Sequence, residues 1–300
     1  MVGSHYVQSC SMPVHAAGRT NPLERGLSVG SFSPVRLDDP SAVENLVQTC
    51  REDVVVNFAA RTDVDRIEQE RTSEPVPTNG GEAWRVNALA PEAMARGAHR
   101  TGKYFLQVST DFVFDGTAGP YSETEPRSPF SNRVSWYGWT KSEGERRVQQ
   151  ENPKASIVRI SYPYRSSFPA KLDFARGMMA RRQAGKLPAF YADQVITPTW
   201  VPDVTRAVAT LVQTRAAGVF HAASPDPTTP YDFARQLFER APGEAVSLQR
   251  GSLGTVLQAV GATPRPVKGG LLCHRLPHLG VRLTGWREGI DLLVQAEGWV

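Results

Sequence analysis

The sequence has few cysteines, and it contains no long apolar run. Cys10, Cys50 and Cys273 are odd in number and widely spaced, which argues against a disulfide framework, and they show no metal-ligand spacing. No apolar run approaches the length of a membrane span. The first residues lack the charged start and apolar middle of a signal peptide. We therefore predict a cytoplasmic protein with no metal and no membrane partner.

Long basic blocks are also missing. The net charge is +4 and the pI is about 9.0, but no run of Lys and Arg is long enough to suggest a nucleic-acid-binding arm. We therefore predict no nucleic-acid partner. A hydrophobic content of 40% and a charged content of 21% are ordinary for a globular protein. A chain of 300 residues suits one large domain or two modest ones.

One stretch in the first half of the chain carries the strongest chemical signal. Residues 104–108 read as a buried strand that brings Ser109 and Thr110 to its carboxyl end. A polar loop follows, and a helix is predicted to begin near Tyr137. Tyr137 and Lys141 are four residues apart and would share one face of that helix.

These residues suggest acid/base chemistry on a carbonyl group. A nearby ammonium favours a phenolate, so Lys141 is expected to lower the pKa of Tyr137. Tyr137 could then exchange a proton with a carbonyl or alcohol oxygen, and the Thr110 hydroxyl could hydrogen-bond the same oxygen. A Tyr-x-x-x-Lys pair alone arises by chance too easily to identify a site. Its combination with Ser-Thr-Asp at a strand end is a much stronger signal.

The two motifs together resemble a known enzyme family. Residues 109–116 read Ser-Thr-Asp-Phe-Val-Phe-Asp-Gly, and residues 137–141 read Tyr-Gly-Trp-Thr-Lys. This pattern is similar to the extended short-chain dehydrogenase/reductases, and within them to the dTDP-4-dehydrorhamnose reductase branch. That branch also includes the non-catalytic regulatory subunit of methionine adenosyltransferase. The resemblance covers nearly the whole chain and weakens after about residue 240.

The resemblance implies an α/β fold with a doubly wound, Rossmann-like parallel sheet and a smaller C-terminal substrate domain. Residues 1–161 are expected to form the dinucleotide-binding domain. Residues 162–300 are expected to form mainly the substrate domain, with residues from about 196 to 222 returning to the nucleotide domain. A homodimer is compatible with this architecture.

The N-terminus departs from the pattern of such folds. A dinucleotide-binding fold begins with a strand, then a glycine-rich turn, then a helix. Here the first strand and most of the glycine turn are missing. Residues 1–7 resemble the tail of the family's glycine motif, with Gly3 as its third glycine. This favours an N-terminally truncated reductase, and the alternative is an unrelated short segment.

The cofactor is predicted from a few positions. Residues 13–20 read as the second strand and its exit. Arg19 lies near the position where an acidic residue would bind the ribose of NAD, so NADP(H) is favoured and NAD(H) is possible. A surface arginine without this role is the other interpretation. By resemblance, Ala59, Ala60 and Arg61 line the nicotinamide ribose region, after an apolar strand that reads as the most clearly buried one in the chain.

The predicted activity is NADP(H)-dependent reduction of a 4-keto group on a nucleotide-activated deoxysugar. The resemblance assigns catalysis to Thr110, Tyr137 and Lys141, with the two last also binding cofactor. Substrate contacts are assigned to Thr110, Asp111 and Tyr162. A basic pocket for the nucleotide diphosphate is expected from three weaker candidates, Arg165, Lys171 and Arg265. The alternatives are a non-catalytic regulatory or binding protein on the same scaffold and an inactive truncated reductase.

Overall fold

The computed structural model describes residues 1–78, 80–167, 170–243 and 245–299. Its strands are short, and all of the paired strands run parallel. They are β1 (His15–Gly18), β2 (Ser31–Pro34), β3 (Val54–Asn57), β4 (Tyr104–Thr110), β5 (Ser156–Ile160), β6 (Phe190–Tyr191), β7 (Gly218–His221) and β8 (Arg250–Gly251).

The helices separate these strands along the chain, as expected for an α/β fold. They are α1 (Val2–Ser9), α2 (Pro40–Thr49), α3 (Val64–Glu68), α4 (Glu82–Trp84), α5 (Ala90–Arg100), α6 (Trp136–Glu151), α7 (Phe174–Gln183), α8 (Val201–Thr214), α9 (Pro230–Arg240), α10 (Leu253–Val256), α11 (Arg275–His278) and α12 (Trp286–Ala296). A π-helical segment at Arg85–Leu89 joins α4 to α5.

The main sheet has four strands in the order β3-β4-β5-β7. Every residue of β4 is buried, because helices cover both faces of the sheet. Leu106 and Val108 pack on one face with residues of α1 and α8, whereas Phe105 packs on the other face with residues of α2 and α5. This alternation follows from the two-residue period of a strand. The prediction of a doubly wound parallel sheet is therefore confirmed.

A second hydrophobic core lies in the C-terminal half of the chain. It joins α7, α9 and α12 around Tyr164, Phe233 and Trp286. The helix α8 and the strand β7 instead contribute Val208, Leu211 and Phe220 to the core of the main sheet. The C-terminal half thus builds its own core and also returns to the first.

The strands β1 and β2 form a separate two-stranded sheet that no described strand connects to β3. The prediction that β3 is the most clearly buried strand is wrong, since Val54, Val55 and Val56 are only partly buried. The physical reason is that β3 pairs with β4 on one edge alone. An apolar strand needs neighbours on both edges as well as covered faces to become fully buried.

Among the described residues, no helix has both the length and the apolar character needed to cross a bilayer. The three cysteines are unpaired thiols.

Candidate active site

A cavity of about 1400 Å³ opens at the carboxyl ends of β3, β4 and β5. The carboxyl edge of a parallel sheet is where open α/β folds bind their ligands. Most of the residues predicted from the sequence line this cavity: Gly3, Ala59, Ala60, Thr110, Asp111, Tyr137, Lys141 and Tyr162.

The helix α6 brings Tyr137 and Lys141 to the cavity. Ser135 caps its first turn, since the Ser135 Oγ accepts a hydrogen bond from the backbone N–H of Gly138 at 3.1 Å. This confirms the predicted helix start near Tyr137. Gly138 lies against the carbonyl oxygen of Phe112, and a Cβ at this position would overlap that oxygen. The absence of a side chain lets α6 approach the loop that follows β4.

Close approach at Gly138 gives a testable prediction. In Gly138→Ala, α6 must move away from Phe112, which is expected to displace Tyr137 from Thr110. We expect a loss of about 1–3 kcal/mol in the free energy of unfolding and a fall of about 100-fold in kcat, measured by urea unfolding and steady-state kinetics. Gly177→Ala in α7 is the control, because the nearest atom to its added Cβ is 3.6 Å away. Equal effects of both substitutions would contradict this role of Gly138.

Tyr137 is 8% exposed and its ring packs edge-on against Phe112 at 5.6 Å between centroids. Burial raises the pKa of Tyr137 to about 12, and the neighbouring Thr110 hydroxyl acts in the opposite direction. The prediction that Lys141 lowers this pKa is wrong for this structure, because desolvation dominates. The phenol is therefore protonated at neutral pH and can act as a proton donor.

Lys141 lies one helical turn further and points to the sheet. Its Nζ donates a hydrogen bond to the carbonyl oxygen of Val108 at 2.9 Å. Burial lowers the pKa of Lys141 to about 8, although the charge of Glu145 raises it. The ammonium form still predominates at neutral pH, and it lies beside the strand end that carries Thr110.

Thr110 and Asp111 form a buried polar chain at the end of β4. The Thr110 hydroxyl donates to Asp111 Oδ1 at 3.2 Å, and the Ser161 hydroxyl donates to Asp111 Oδ2 at 2.7 Å. Asp111 is 2% exposed. Burial raises its pKa to about 6, although the Ser161 and Thr110 hydrogen bonds lower it. Asp111 therefore fixes the orientation of the Thr110 hydroxyl at the cavity wall.

The raised pKa of Asp111 predicts a pH-dependent stability. The folded state binds the proton more tightly than the unfolded state, so the Asp111 contribution to stability is largest below pH 3.8 and declines up to about pH 6. A shift of this size corresponds to about 3 kcal/mol. The free energy of unfolding of the parent chain relative to Asp111→Asn should fall by that amount between about pH 4 and about pH 7.

The control is Asp193, whose contribution to the free energy of unfolding should change with pH in the opposite direction. Asp193 accepts hydrogen bonds from Ser252 and from the backbone N–H groups of Leu253 and Gly254. Burial acts to raise the pKa of Asp193, but these bonds hold it below its ordinary value. Asp193→Asn should therefore remove stability that grows as the pH rises above about 4. A flat difference for Asp111→Asn in urea unfolding would contradict the buried environment of Asp111.

Asn87 connects the loop after β3 with α6. Its Oδ1 accepts from the backbone N–H of Arg61 at 2.9 Å, and its Nδ2 donates to the Arg61 carbonyl at 3.0 Å and to Thr140 Oγ1 at 3.1 Å. The side chain is 1% exposed. Asn87 thereby fixes the segment of Ala59 and Ala60 relative to the helix of Tyr137.

Tyr162 closes the opposite wall of the cavity. Its hydroxyl accepts a hydrogen bond from Gln194 Nε2 at 2.9 Å, and its ring centroid lies 6.3 Å from that of Phe112. Its φ of 42° lies in the left-handed region that side chains rarely adopt. Strained backbone of this kind persists where the surrounding structure enforces it, often at functional sites. Burial raises the pKa of Tyr162 well above its ordinary value.

Two predicted cofactor residues lie outside the cavity wall. The side chain of Arg19 is 70% exposed, with Nη1 3.9 Å from Glu82 Oε1. Arg61 Nη1 is 2.8 Å from Glu82 Oε2. The two arginines therefore flank the Glu82 carboxylate beside the cavity, a contact that no sequence pattern predicted.

The three candidates for a basic pocket are not brought together. Arg165 donates to the Met1 carbonyl, Ser4 and Gln8 and so anchors α1. Lys171 Nζ is 3.3 Å from Thr62 Oγ1 at the cavity, which it lines. Arg265 binds both oxygens of the Asp65 carboxylate at 2.8 Å. Only Lys171 of these three lines the cavity.

Sequence reasoning missed two residues that support the site. Ser161 holds Asp111, and Phe112 separates the rings of Tyr137 and Tyr162. The signal for Ser161 was present, because it directly follows β5 at the same sheet edge as Thr110. Phe112 carried no comparable signal, since its position between two rings depends on tertiary packing.

Comparisons with known proteins agree with this architecture. The family profile described as RmlD substrate binding domain matches residues 8–298. The dTDP-4-dehydrorhamnose reductase of Salmonella typhimurium is 32% identical over 274 residues, which cover 88% of this chain and 85% of that protein. A crystal structure of a dTDP-4-dehydrorhamnose reductase from Clostridium acetobutylicum has a TM-score of 0.77 at 26% identity, covering 95% of this chain and 99% of that one.

A further structure, the dTDP-4-dehydrorhamnose reductase of Bacillus anthracis in complex with NADP, has a TM-score of 0.75 at 23% identity. It covers 94% of this chain and 98% of that one. At this identity the match shows a shared fold and nothing further. The match of the family profile to nearly the whole chain, together with the identity to the Salmonella protein, shows that the chain belongs to the RmlD substrate-binding domain family of the extended short-chain dehydrogenase/reductases.

Proposed function

We propose that this protein catalyses the NADP(H)-dependent reduction of a 4-keto group on a nucleotide-activated deoxysugar such as dTDP-4-dehydrorhamnose. The observation that carries the proposal is that Thr110, Tyr137 and Lys141 line one cavity, with Lys141 one helical turn beyond Tyr137. A protonated phenol, a hydroxyl and an ammonium at one sheet edge are the groups that carbonyl reduction requires from a protein.

Each of these residues has a distinct role in the proposal. NADPH, when bound, supplies a hydride to the carbonyl carbon. The Tyr137 phenol donates a proton to the carbonyl oxygen, and the Thr110 hydroxyl orients that oxygen. Lys141 stabilises the phenolate that remains and binds the cofactor ribose. Asp111 and Tyr162 shape the substrate side of the cavity, where the Asp111 carboxylate acts through Thr110.

The nicotinamide end of a cofactor fits the residues present. Ala59 and Ala60 offer small side chains along the cavity, and the Ala59 N–H is held by Asn57 Oδ1 at 3.0 Å. Gly3 lies in the first turn of α1, where an added Cβ would come within 3.0 Å of Phe58. The first turn of α1 therefore packs directly beside the end of β3. Backbone N–H groups at such a helix start suit a pyrophosphate.

The choice between NADP(H) and NAD(H) is proposed to depend on Arg19. Since Arg19 is largely exposed at the exit of β1, it can reach a 2′-phosphate at the rim. In Arg19→Ala, we expect the affinity for NADPH to fall about tenfold while that for NADH is unchanged. Titration by intrinsic fluorescence measures both constants. The control is Arg100→Ala, because Arg100 is also an exposed arginine and it pairs with Glu44 of α2.

We further propose the division of the chain into a dinucleotide-binding domain at residues 1–161 and a mainly substrate-binding part at residues 162–300. The separate core around Tyr164, Phe233 and Trp286 supports it, as does the return of α8 and β7 to the main sheet. A homodimer stays a prediction that analytical ultracentrifugation tests. A cytoplasmic location stays a prediction that cell fractionation tests.

The proposal is tested by following NADPH oxidation with a dTDP-4-keto-6-deoxysugar and identifying the product by mass spectrometry. A second candidate is a binding or regulatory protein on the same scaffold. The open edges of β1 and β3 beside the cofactor end of the cavity favour it. That candidate predicts nucleotide binding without turnover, whereas the reductase predicts reduced sugar in proportion to NADPH consumed.

A further inference from the structure

The hydroxyl of Thr110 has a single proton, and in this structure it is directed to Asp111. Thr110 Oγ1 donates to Asp111 Oδ1 at 3.2 Å and accepts from the backbone N–H of Phe112 at 3.3 Å. A hydroxyl offers one donor and two acceptor positions. While Thr110 donates to Asp111, it therefore has no proton for another acceptor in the cavity.

The proposed function uses the same proton in another hydrogen bond. There the Thr110 hydroxyl orients the carbonyl oxygen of the keto-sugar, and a carbonyl oxygen accepts hydrogen bonds but donates none. Thr110 lines the cavity, so a carbonyl oxygen placed beside it would compete with Asp111 for the proton. Thr110 can donate to this oxygen only when Asp111 does not accept from it.

The contacts of Asp111 show which of its oxygens can change role. Ser161 donates to Oδ2 at 2.7 Å, and this bond is unaffected when the carboxyl gains a proton on Oδ1. A protonated Oδ1 is a donor. Its acceptor is Thr110 Oγ1, which has one acceptor position left beside the one that the Phe112 N–H uses. The contact is then kept with its direction reversed, and the Thr110 proton is free.

The surroundings of Asp111 allow its charge to change near neutral pH. Burial raises its pKa to about 6, although its hydrogen-bond partners lower it. Burial also keeps the neighbouring phenols protonated in this range, and it lowers the pKa of Lys141 only to about 8. The groups that face Asp111 are the Thr110 and Ser161 hydroxyls, the backbone of Gly270 and the phenols of Tyr137 and Tyr162. Asp111 is the group among these that ionises near pH 6.

We propose that Asp111 is a positioning residue whose protonation turns the Thr110 hydroxyl from Asp111 toward the carbonyl oxygen of the substrate. This inference rests on the proposed function, because it assumes a carbonyl oxygen beside Thr110. Protonated Asp111 donates to Thr110 and leaves the Thr110 O–H free. Ionised Asp111 accepts this O–H, and the carbonyl oxygen is then left with Tyr137 as its donor. Asp111 keeps its proton throughout the reaction and sets only the direction of the hydrogen bond.

The first test is a pH dependence that Asp111→Asn removes. The Asn amide would donate to Thr110 through Nδ2 and accept from Ser161 through Oδ1, so it copies the protonated carboxyl at every pH. For the parent chain, we expect the single-turnover rate of reduction at saturating NADPH to fall about 10- to 100-fold between about pH 5 and about pH 8. The loss of one donor to an oxyanion has an effect of this order. The rate of Asp111→Asn should change less than about threefold over the same range.

Ser161→Ala gives a second variant with a directional result. The Ser161 hydrogen bond lowers the pKa of Asp111, so its removal should move the midpoint of the fall to higher pH by about one unit. A purely structural effect of Ser161 would lower the rate without moving this midpoint. The control is Asp291→Asn, because the Asp291 carboxylate is 53% exposed and pairs with Arg240 outside the cavity. This control should keep the pH profile of the parent chain.

Infrared difference spectroscopy supplies a readout that does not depend on reduction. The spectrum of the parent chain minus that of Asp111→Asn should contain the C=O stretch of a protonated carboxyl, and this band should disappear with a midpoint near pH 6. Reduction with the same pH profile in the parent chain and in Asp111→Asn, or the absence of a titrating band, overturns the inference and leaves the proposed function in place. The absence of reduction in every form at every pH overturns the proposed function, and the inference with it.

Discussion

Tyr137→Phe is expected to lower kcat for keto-sugar reduction by about 100- to 10,000-fold, the range for loss of a general acid. The substitution removes only the hydroxyl, so the ring keeps its contact with Phe112. NADPH affinity should change little, because the ribose contact proposed for Lys141 is retained. Steady-state kinetics and a cofactor titration on the same preparation separate these effects.

The matched control is Tyr231→Phe. Tyr231 lies in α9, where its ring contacts the Arg250 guanidinium at 4.6 Å, outside the cavity. This variant should retain the kcat of the parent chain. If Tyr137→Phe kept more than about a tenth of the parent kcat, Tyr137 would not be the proton donor.

Glu145→Gln is expected to cost about 3–5 kcal/mol in the free energy of unfolding, because it leaves a buried cation without its counter-charge. Arg159 of β5 binds Glu145 of α6 through both its Nε (2.9 Å) and its Nη2 (2.6 Å), and the two side chains are 2% and 0% exposed. Burial acts to raise the pKa of Glu145, but the charge of Arg159 holds it below its ordinary value. The pair fixes the helix of Tyr137 to the sheet.

Glu143→Gln is the control in the same helix. The Glu143 side chain is only 5% exposed, but it pairs with Arg146 and Arg147, which remain 38% and 15% exposed. Pairs that keep contact with water contribute little, so we expect a loss below about 1 kcal/mol. Urea unfolding measures the free energy of unfolding of both variants. Equal losses of this free energy would show that the buried pair of Glu145 and Arg159 does not anchor α6.

The main sheet was predictable because its strands carry a strong local signal. The apolar run of β4 predicted a buried strand, as observed, and the polar residues at its carboxyl end predicted a site where the cavity opens. The start of α6 was equally predictable from the sequence around Tyr137. By contrast, β2 at Ser31–Pro34 could not be predicted, because its Ser and Pro residues carry no strand periodicity.

The electrostatics of the site could not be predicted from spacing alone. The four-residue separation of Tyr137 and Lys141 suggested a lowered tyrosine pKa, but it contained no information about burial. In the structure desolvation is the larger effect on Tyr137, and Lys141 is directed to the Val108 carbonyl. Likewise, nothing near Arg19 or Arg61 in the sequence indicated that both would meet Glu82.

The open edge of β3 could not be predicted from its own sequence. Its physical consequences are the partial burial of Val54 and Val56 and the backbone groups that these residues direct away from β4. These features depend on which strands pair, so no local pattern within β3 could reveal them.

The central claim is that Tyr137, Thr110 and Lys141 act together on a 4-keto group beside a nicotinamide. Its most direct test is a single-turnover assay with NADPH and dTDP-4-dehydrorhamnose on this chain. The account predicts reduction at C4 and its loss in Tyr137→Phe. If NADPH binds saturably and the sugar is not reduced, the account is contradicted.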